Sequence, residues 1–131
     1  MTKQIIKVQK DKRAEESIKI KTKDWSGSVI GKTKLEEALL VVFTRILNDN
    51  PEIFHNWQAN LISLNGLEEL IQQDYTINIV ETKDIYNLIV SKNKCSTSFS
   101  ATKEQGIANV FEQAEDWAQT MLEELNVQIS N

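Results

Sequence analysis

The chain contains one histidine, His55, and one cysteine, Cys95, two residue types often used for nucleophilic catalysis or zinc binding. A structural zinc site needs four ligands, which these two residues do not supply. Cys95 begins an alternating series with Thr97 and Phe99, so we expect it to be a small, buried apolar residue. We expect His55 to be a partly exposed helical residue bonded to a neighbour. The sequence therefore predicts no catalytic residue and no metal ligand at these positions.

The segment from Ser26 to Thr33 resembles the phosphate-binding loop of nucleoside triphosphatases. Gly31, Lys32 and Thr33 match the end of that loop, where backbone amides wrap phosphate, lysine neutralises charge and threonine holds magnesium. Ser26 replaces the first glycine, and no apolar strand ending in aspartate supplies a second metal ligand. The resemblance implies a nucleotide-binding enzyme. The residues themselves favour a loop over 25–31, with Thr33 capping the helix that follows.

Four carboxylates lie on the predicted polar side of the last helix: Glu112, Glu115, Asp116 and Glu123. Carboxylates stacked in this way could hold a hard cation or bind a basic partner. The histidine that completes a di-metal motif in a helical bundle is missing. We therefore expect a solvated acidic face without a metal. The alternative is a partner-binding surface formed by Glu112, Glu115 and Asp116.

Lysines alternate with isoleucines near the N-terminus, and the series Lys19, Lys21 and Lys23 ends next to Trp25. Lysines on the outward face of a terminal strand prevent edge-to-edge association of sheets. Basic residues beside an aromatic ring can also bind single-stranded nucleic acid through charge and stacking. These four residues are therefore candidates for binding a partner.

The charge of the chain is strongly segregated. Residues 1–34 carry ten basic and four acidic side chains, a net charge of +6, whereas residues 35–131 carry five and fifteen, a net charge of −10. A basic segment on an acidic body can bind polyanions, dock against its own body or merely keep the chain soluble. The acidic body would repel a long polyanion, which favours a protein partner over nucleic acid.

Length and composition predict one globular domain spanning residues 1–131, with 40% apolar and 26% charged residues. No apolar run approaches the length of a membrane span, and Met1–Lys10 lacks the apolar stretch of a secretory signal. A single cysteine is consistent with a reducing compartment. We therefore expect a cytoplasmic protein that does not bind membranes.

Period-two alternation predicts five strands. Two of them, around Ile6–Val8 and Ile18–Ile20, form an N-terminal hairpin connected by residues 11–16. The other three form an antiparallel meander between residues 75 and 100.

Helical spacing predicts four helices. A capping box at Thr33–Glu36 begins a helix from Lys34 to Asn48 that is apolar nearly all round, which favours a homo-oligomer. A short helix carries Ile53, Phe54 and Trp57, and another follows Asn65 and Gly66. A second capping box, Thr102–Gln105, begins a long amphipathic C-terminal helix. Strands and helices in blocks predict an α+β fold.

From these features we expect a non-catalytic module that binds another macromolecule, either a protein partner or further copies of itself, without a cofactor. Nucleic-acid binding through the basic N-terminal segment is the alternative. A nucleotide-binding enzyme using the Ser26–Thr33 segment is the weaker alternative.

The resemblance to a phosphate-binding loop can be tested directly. If Ser26–Thr33 is only a connection, calorimetric titration with magnesium ATP or GTP should show no binding. The variant Lys32→Ala should then keep the stability of the parent, because a solvated lysine contributes little. Micromolar nucleotide binding that disappears in Lys32→Ala would contradict this interpretation.

Overall fold

The computed structural model describes residues 3–12, 17–22, 26–29, 35, 37–39, 42 and 63–130. Within them lie six strands and two helices with complete bounds, arranged as the predicted α+β fold. The strands are β1 Lys3–Lys10, β2 Ile18–Lys21, β3 Ser26–Val29, β4 Thr76–Glu81, β5 Ile85–Lys92 and β6 Cys95–Thr102. The helices are α1 Asn65–Gln72 and α2 Ile107–Ser130. Leu35, Glu37, Ala38, Leu39 and Val42 are also helical.

All six strands belong to one antiparallel sheet with the order β3-β2-β1-β4-β5-β6. The predicted hairpin and meander are therefore continuous, because β1 pairs with β2 on one side and with β4 on the other. A bulge between Gln4 and Ile6 shifts the register of β1 against β4. The two edges of the sheet are the short strand β3 and the eight-residue strand β6.

The prediction of a loop over 25–31 is wrong for Ser26–Val29, which form β3. This segment pairs with β2 from Lys21–Ser26 to Ile18–Val29. Serine and glycine have weak strand preferences, so local propensity gave no indication of the strand. Backbone pairing with the otherwise open edge of β2 decides its conformation.

One face of the sheet carries the core, as the alternation predicts. Its fully buried side chains include Ile6, Val8, Ile77, Ile79 and Leu88. They share one core cluster with buried helical residues from three parts of the chain: Leu35, Ala38, Leu39 and Val42; Leu67, Leu70 and Ile71; Ile107, Val110, Phe111, Ala114 and Ala118. No helix among the described residues is long and apolar enough to cross a membrane.

Several sequence predictions lie wholly or partly outside the described residues. They are the capping box of Thr33 with Glu36, the helix residues 43–48, the short helix with Ile53, Phe54 and Trp57, His55, Lys32, Lys23 and Trp25.

The predicted capping box of Thr102 and Gln105 forms both reciprocal bonds. The Gln105 amide donates to Thr102 Oγ1 at 3.1 Å, and the Thr102 amide donates to Gln105 Oε1 at 2.8 Å. The helix nevertheless begins later, at Ile107, because Gly106 takes a left-handed conformation with φ 89°. The box therefore closes the turn between β6 and α2.

Cys95 is exposed, so the prediction that it is buried is wrong. The alternation itself holds further along β6, where Phe99 is half-buried and Ala101 is buried. Burial thus increases toward the C-terminal half of β6, where Phe99 meets Trp117 of α2 with ring centroids 5.8 Å apart. Lying on the core side of the sheet is therefore insufficient for burial at the N-terminal end of β6.

Glu115 does not lie on a solvated acidic face, which corrects the sequence prediction. Its side chain is buried, with 8% exposure. Oε2 accepts the Gly66 amide at 2.7 Å and Oε1 accepts the Leu67 amide at 2.9 Å, while Gln119 Nε2 donates to Oε2 at 2.6 Å. Because Leu64 at the cap position of α1 offers no side-chain acceptor, Glu115 caps α1 from another helix.

A second carboxylate, on α1, also accepts a backbone amide from another helical segment. Glu68, in the first turn of α1, accepts the backbone amide of Leu35 at 2.6 Å through Oε1. The first described helical amide is therefore satisfied by a residue 33 positions away. Each of these two carboxylates joins the backbone of one helical segment to another helix.

Removing the Glu115 cap should destabilise the whole domain. We expect Glu115→Ala to lower the free energy of unfolding by about 2–4 kcal/mol, because two backbone amides lose a charged acceptor. Chemical denaturation followed by far-ultraviolet circular dichroism measures this. The control Glu112→Gln, at an exposed position of the same helix, should change stability by less than about 0.5 kcal/mol.

Gly66 gives an independent check of the same contact. A β-carbon at this position would lie 2.7 Å from Glu115 Oε2 and 3.1 Å from Ala118 Cβ. We expect Gly66→Ala to destabilise by about 1–3 kcal/mol despite the better helix propensity of alanine. The cost should shrink in a Glu115→Ala background; strictly additive effects in this double-mutant cycle would contradict the contact.

Candidate anion-binding cleft

The sheet face opposite the core is polar and carries a row of lysines. Lys7 on β1 pairs with Lys21 on β2. Two residues further along β1, Gln9 pairs with Lys19. The same face continues across Asn78 on β4 to Ile89 on β5 and Ser98 on β6. Because side chains on one strand alternate between faces, Lys19 and Lys21 share this open face. The lysines thus lie on the N-terminal half of the sheet and the serines on β6.

A cleft of about 640 Å³ opens where this face meets one end of the sheet. Segments from β1 and its following turn, β2, the α1–β4 connection and the β5–β6 turn contribute to it. Its lining residues are Gln9, Lys10, Asp11, Lys12, Lys19, Asp74, Tyr75, Thr76, Lys92 and Asn93. Four lysines against two aspartates give the lining a formal charge of +2, in a protein whose net charge is −4.

Among the residues that the structure describes, no ion pair joins an ammonium group of the cleft to a carboxylate. The ion pair found in the described part of the chain joins Lys103 to Glu81, and it lies elsewhere on the sheet. Asp11 is buried, with 4% exposure, and its amide donates to the Ser17 carbonyl at 2.9 Å, which closes the β1–β2 connection. The four lysines outnumber the two aspartates of the lining, and this excess of positive charge creates a field that attracts anions.

Two of the lysines are positioned by neighbouring groups. Lys10 Nζ lies 3.5 Å from the carbonyl oxygen of Gln72 at the C-terminus of α1, where the helix dipole favours a cation. Lys92 Nζ lies 5.2 Å from the centre of the Tyr75 ring, within the range of a cation–π contact. These contacts hold both ammonium groups at the cleft. Lys19 is half-buried and Lys12 is exposed.

Two residues with left-handed backbones shape the cleft. Asp74, with φ 71°, ends α1 in a Schellman arrangement: its amide donates to the Ile71 carbonyl, and the Tyr75 amide donates to the Leu70 carbonyl. Asn93, with φ 56°, lies in the two-residue turn between β5 and β6. Asn and Asp tolerate this conformation better than other residues with side chains. The two turns set the positions of Tyr75 and Lys92.

The structure brings together only part of the predicted basic site. Lys19 lines the cleft and Lys21 lies next to it on the open face, whereas Lys23 and Trp25 lie outside the described residues. Lys10, Lys12 and Lys92 were not among the candidates. Lys92 is far away in sequence, and only the pairing of β1 with β4 and of β4 with β5 brings it near Lys10.

The acidic candidates do not form one site. Glu112 and Asp116 are exposed on α2, while Glu115 is committed to the cap of α1. In the described part of the chain, no group of three or more histidine, cysteine, aspartate or glutamate side chains is placed to hold a metal ion. Within the described part of the chain, no ion pair or hydrogen bond joins Glu112 or Asp116 to a lysine of the N-terminal strands.

A scan against protein-family models and searches of curated proteins and of solved structures found no match. The chemistry of the cleft is therefore inferred from its own side chains.

The positive φ of Asp74 predicts that replacing this residue by glycine stabilises the protein. Asp74→Gly should stabilise the protein by about 0.5–1 kcal/mol, because glycine adopts positive φ without steric cost. Removing a carboxylate from the lining should also raise the affinity of the cleft for anions. Thermal unfolding in low-salt buffer measures the first effect, and Asp84→Gly, at an exposed position with no positive φ, is the control. If Asp74→Gly were only as stable as the parent protein, or less stable, the positive φ of Asp74 would carry no steric cost and the prediction would be wrong.

Proposed function

We propose that this protein is a non-catalytic binding module that takes an acidic segment of a partner protein into the lysine cleft. The observation that carries the proposal is the group of four lysines from three separate parts of the chain at one cleft, none of which forms an ion pair with a carboxylate of the described residues. The other lining groups are amides, a threonine, a tyrosine and two aspartates, which suit holding charge and donating hydrogen bonds rather than acid–base chemistry.

The dimensions of the cleft support a short segment as its occupant. Its volume of about 640 Å³ lies within the range of about 300–1,000 Å³ typical of ligand sites. Lys12 and Lys19 lie on the β1–β2 side and Lys92 on the β5–β6 side, so an extended chain would meet ammonium groups on both flanks. Gln9, Thr76 and Asn93 add hydrogen-bonding groups between them.

Charge distribution favours a peptide over a nucleic-acid strand. Asp74 is exposed in the cleft, and α2 displays exposed Glu112, Asp116 and Glu123 on the acidic part of the molecule. A phosphate backbone carries charge at every nucleotide, so Asp74 in the lining and the acidic part of the molecule would repel it. A peptide can place its few carboxylates at the lysines alone. The Tyr75 ring is also already in contact with the Lys92 ammonium, which competes with base stacking.

Fluorescence anisotropy with a labelled peptide of alternating acidic and glycine residues tests the proposal. A control peptide in which glutamine and asparagine replace the acidic residues should not bind. Lys19→Glu and Lys92→Glu should each weaken it by about three- to tenfold, because attraction becomes repulsion. Lys83→Glu makes the same charge change at an exposed turn at the other end of β5, and should retain most of the affinity.

Two results would contradict the proposal. Equal losses in Lys83→Glu and Lys92→Glu would show that the peptide senses only net charge. Tight binding of a single-stranded oligonucleotide that falls with salt, at a log–log slope of about −0.7 per neutralised phosphate, and that disappears in Lys19→Glu would assign the cleft to nucleic acid.

A further inference from the structure

Among the described residues, no strand pairs with the outer edge of β6. β6 pairs with β5 over all eight residues without a bulge, from Ile85–Thr102 to Lys92–Cys95. Its sequence, CSTSFSAT, contains no charged residue and no proline. Edge strands normally carry lysine, proline or a bulge, because an open row of backbone groups pairs readily with another strand.

Hydrogen bonds at the end of β6 identify which backbone groups point outward. The Lys103 amide donates to the Asp84 carbonyl, which continues the β5–β6 ladder and shows that odd-numbered residues face β5. The even-numbered residues therefore direct their amides and carbonyls away from β5. Ser96 and Ser98 belong to this set, and both are exposed.

Side chains close one half of this edge. The Thr102 amide donates to Gln105 Oε1 at 2.8 Å, and the Ser100 carbonyl accepts from Gln113 Nε2 at 3.0 Å. The open part is thus limited to Ser96–Ser98, between the turn at Asn93 and the bond to Gln113. This opening spans only three residues, and it is symmetric about Thr97.

We propose that two copies of this chain associate by antiparallel pairing of their β6 strands about a two-fold axis at Thr97. Ser96 of each copy then exchanges backbone hydrogen bonds with Ser98 of the other, which gives four bonds without disturbing Gln105 or Gln113. Thr97 faces its own symmetry mate in a non-hydrogen-bonded pair, with α-carbons about 4.5 Å apart.

The same register explains the exposed side chains on the helix-covered side of β6. Residues equidistant from the axis face each other, so Cys95 of one copy lies opposite Phe99 of the other. Phe99 and its neighbour Trp117 are both half-buried, and Cys95 is exposed. Pairing of the copies covers this apolar surface on both sides of the axis, and β6 brings no like charges together.

The position of Thr97 on the axis allows a charge-exchange test. Sedimentation equilibrium at tens of micromolar should give twice the chain mass of 15.0 kDa for the parent protein. Thr97→Lys and Thr97→Asp should each weaken association about tenfold or more, because like charges meet at the axis. An equimolar mixture of the two variants should recover the dimer. Asn87→Lys, at a half-buried position one strand further in, should remain dimeric.

Ser98→Pro provides a second variant that tests the pairing without a charge. Its amide points away from β5, so proline should preserve the monomer fold, checked by circular dichroism, and abolish the dimer. A monomeric parent protein would overturn the proposal. So would a dimer that persists in Ser98→Pro, or failure of the two Thr97 variants to recover association when both are folded. Because none of these positions lines the cleft, peptide binding should be unchanged.

Discussion

The buried carboxylate of Glu115 is the contact on which the helical layer depends. It satisfies two amides at the start of α1, and α1 in turn supplies Glu68 to the amide of Leu35. Three helical segments from distant parts of the chain are thus joined by carboxylates that accept backbone amides of another segment. Gly66 permits this approach, because a β-carbon there would occupy the place of the Glu115 oxygen. Loss of one carboxylate therefore affects the whole layer that covers the sheet.

These helices cover one face of the sheet, and no described helix or strand covers the opposite face or its two edges. The polar face has lysines on β1 and β2 and serines on β6, so its two halves suit different partners. Lys19 of this face, with Lys10, Lys12 and Lys92, lines a cleft that attracts anions, while the neutral edge of β6 offers backbone hydrogen bonds. The proposed peptide site and the proposed dimer contact consequently lie on separate parts of the sheet and can be occupied together.

In the fold, the two oppositely charged parts of the sequence do not form two separate binding surfaces. Described lysines of the N-terminal strands do not pair with the carboxylates of α2, whose Glu112 and Asp116 remain exposed. The anion-binding surface is also assembled from both segments, because Lys92 belongs to the acidic part of the chain. Dividing the chain into a basic N-terminal segment and an acidic remainder therefore describes its composition, but it does not identify the residues of the binding surface.

The sequence by itself determined the α+β class, the hairpin, the meander and the core face, because alternating and helical apolar spacing depends on neighbouring residues. It also indicated Lys19 and Lys21 as outward-facing. Only tertiary structure decided that Ser26–Val29 pair as a strand, that Glu115 is buried as a cap and that Cys95 remains exposed. It alone placed Lys92 beside Lys10 and Lys19 in one cleft. Each of these outcomes depends on which distant segment lies next to the residue, and local spacing carries no information about that.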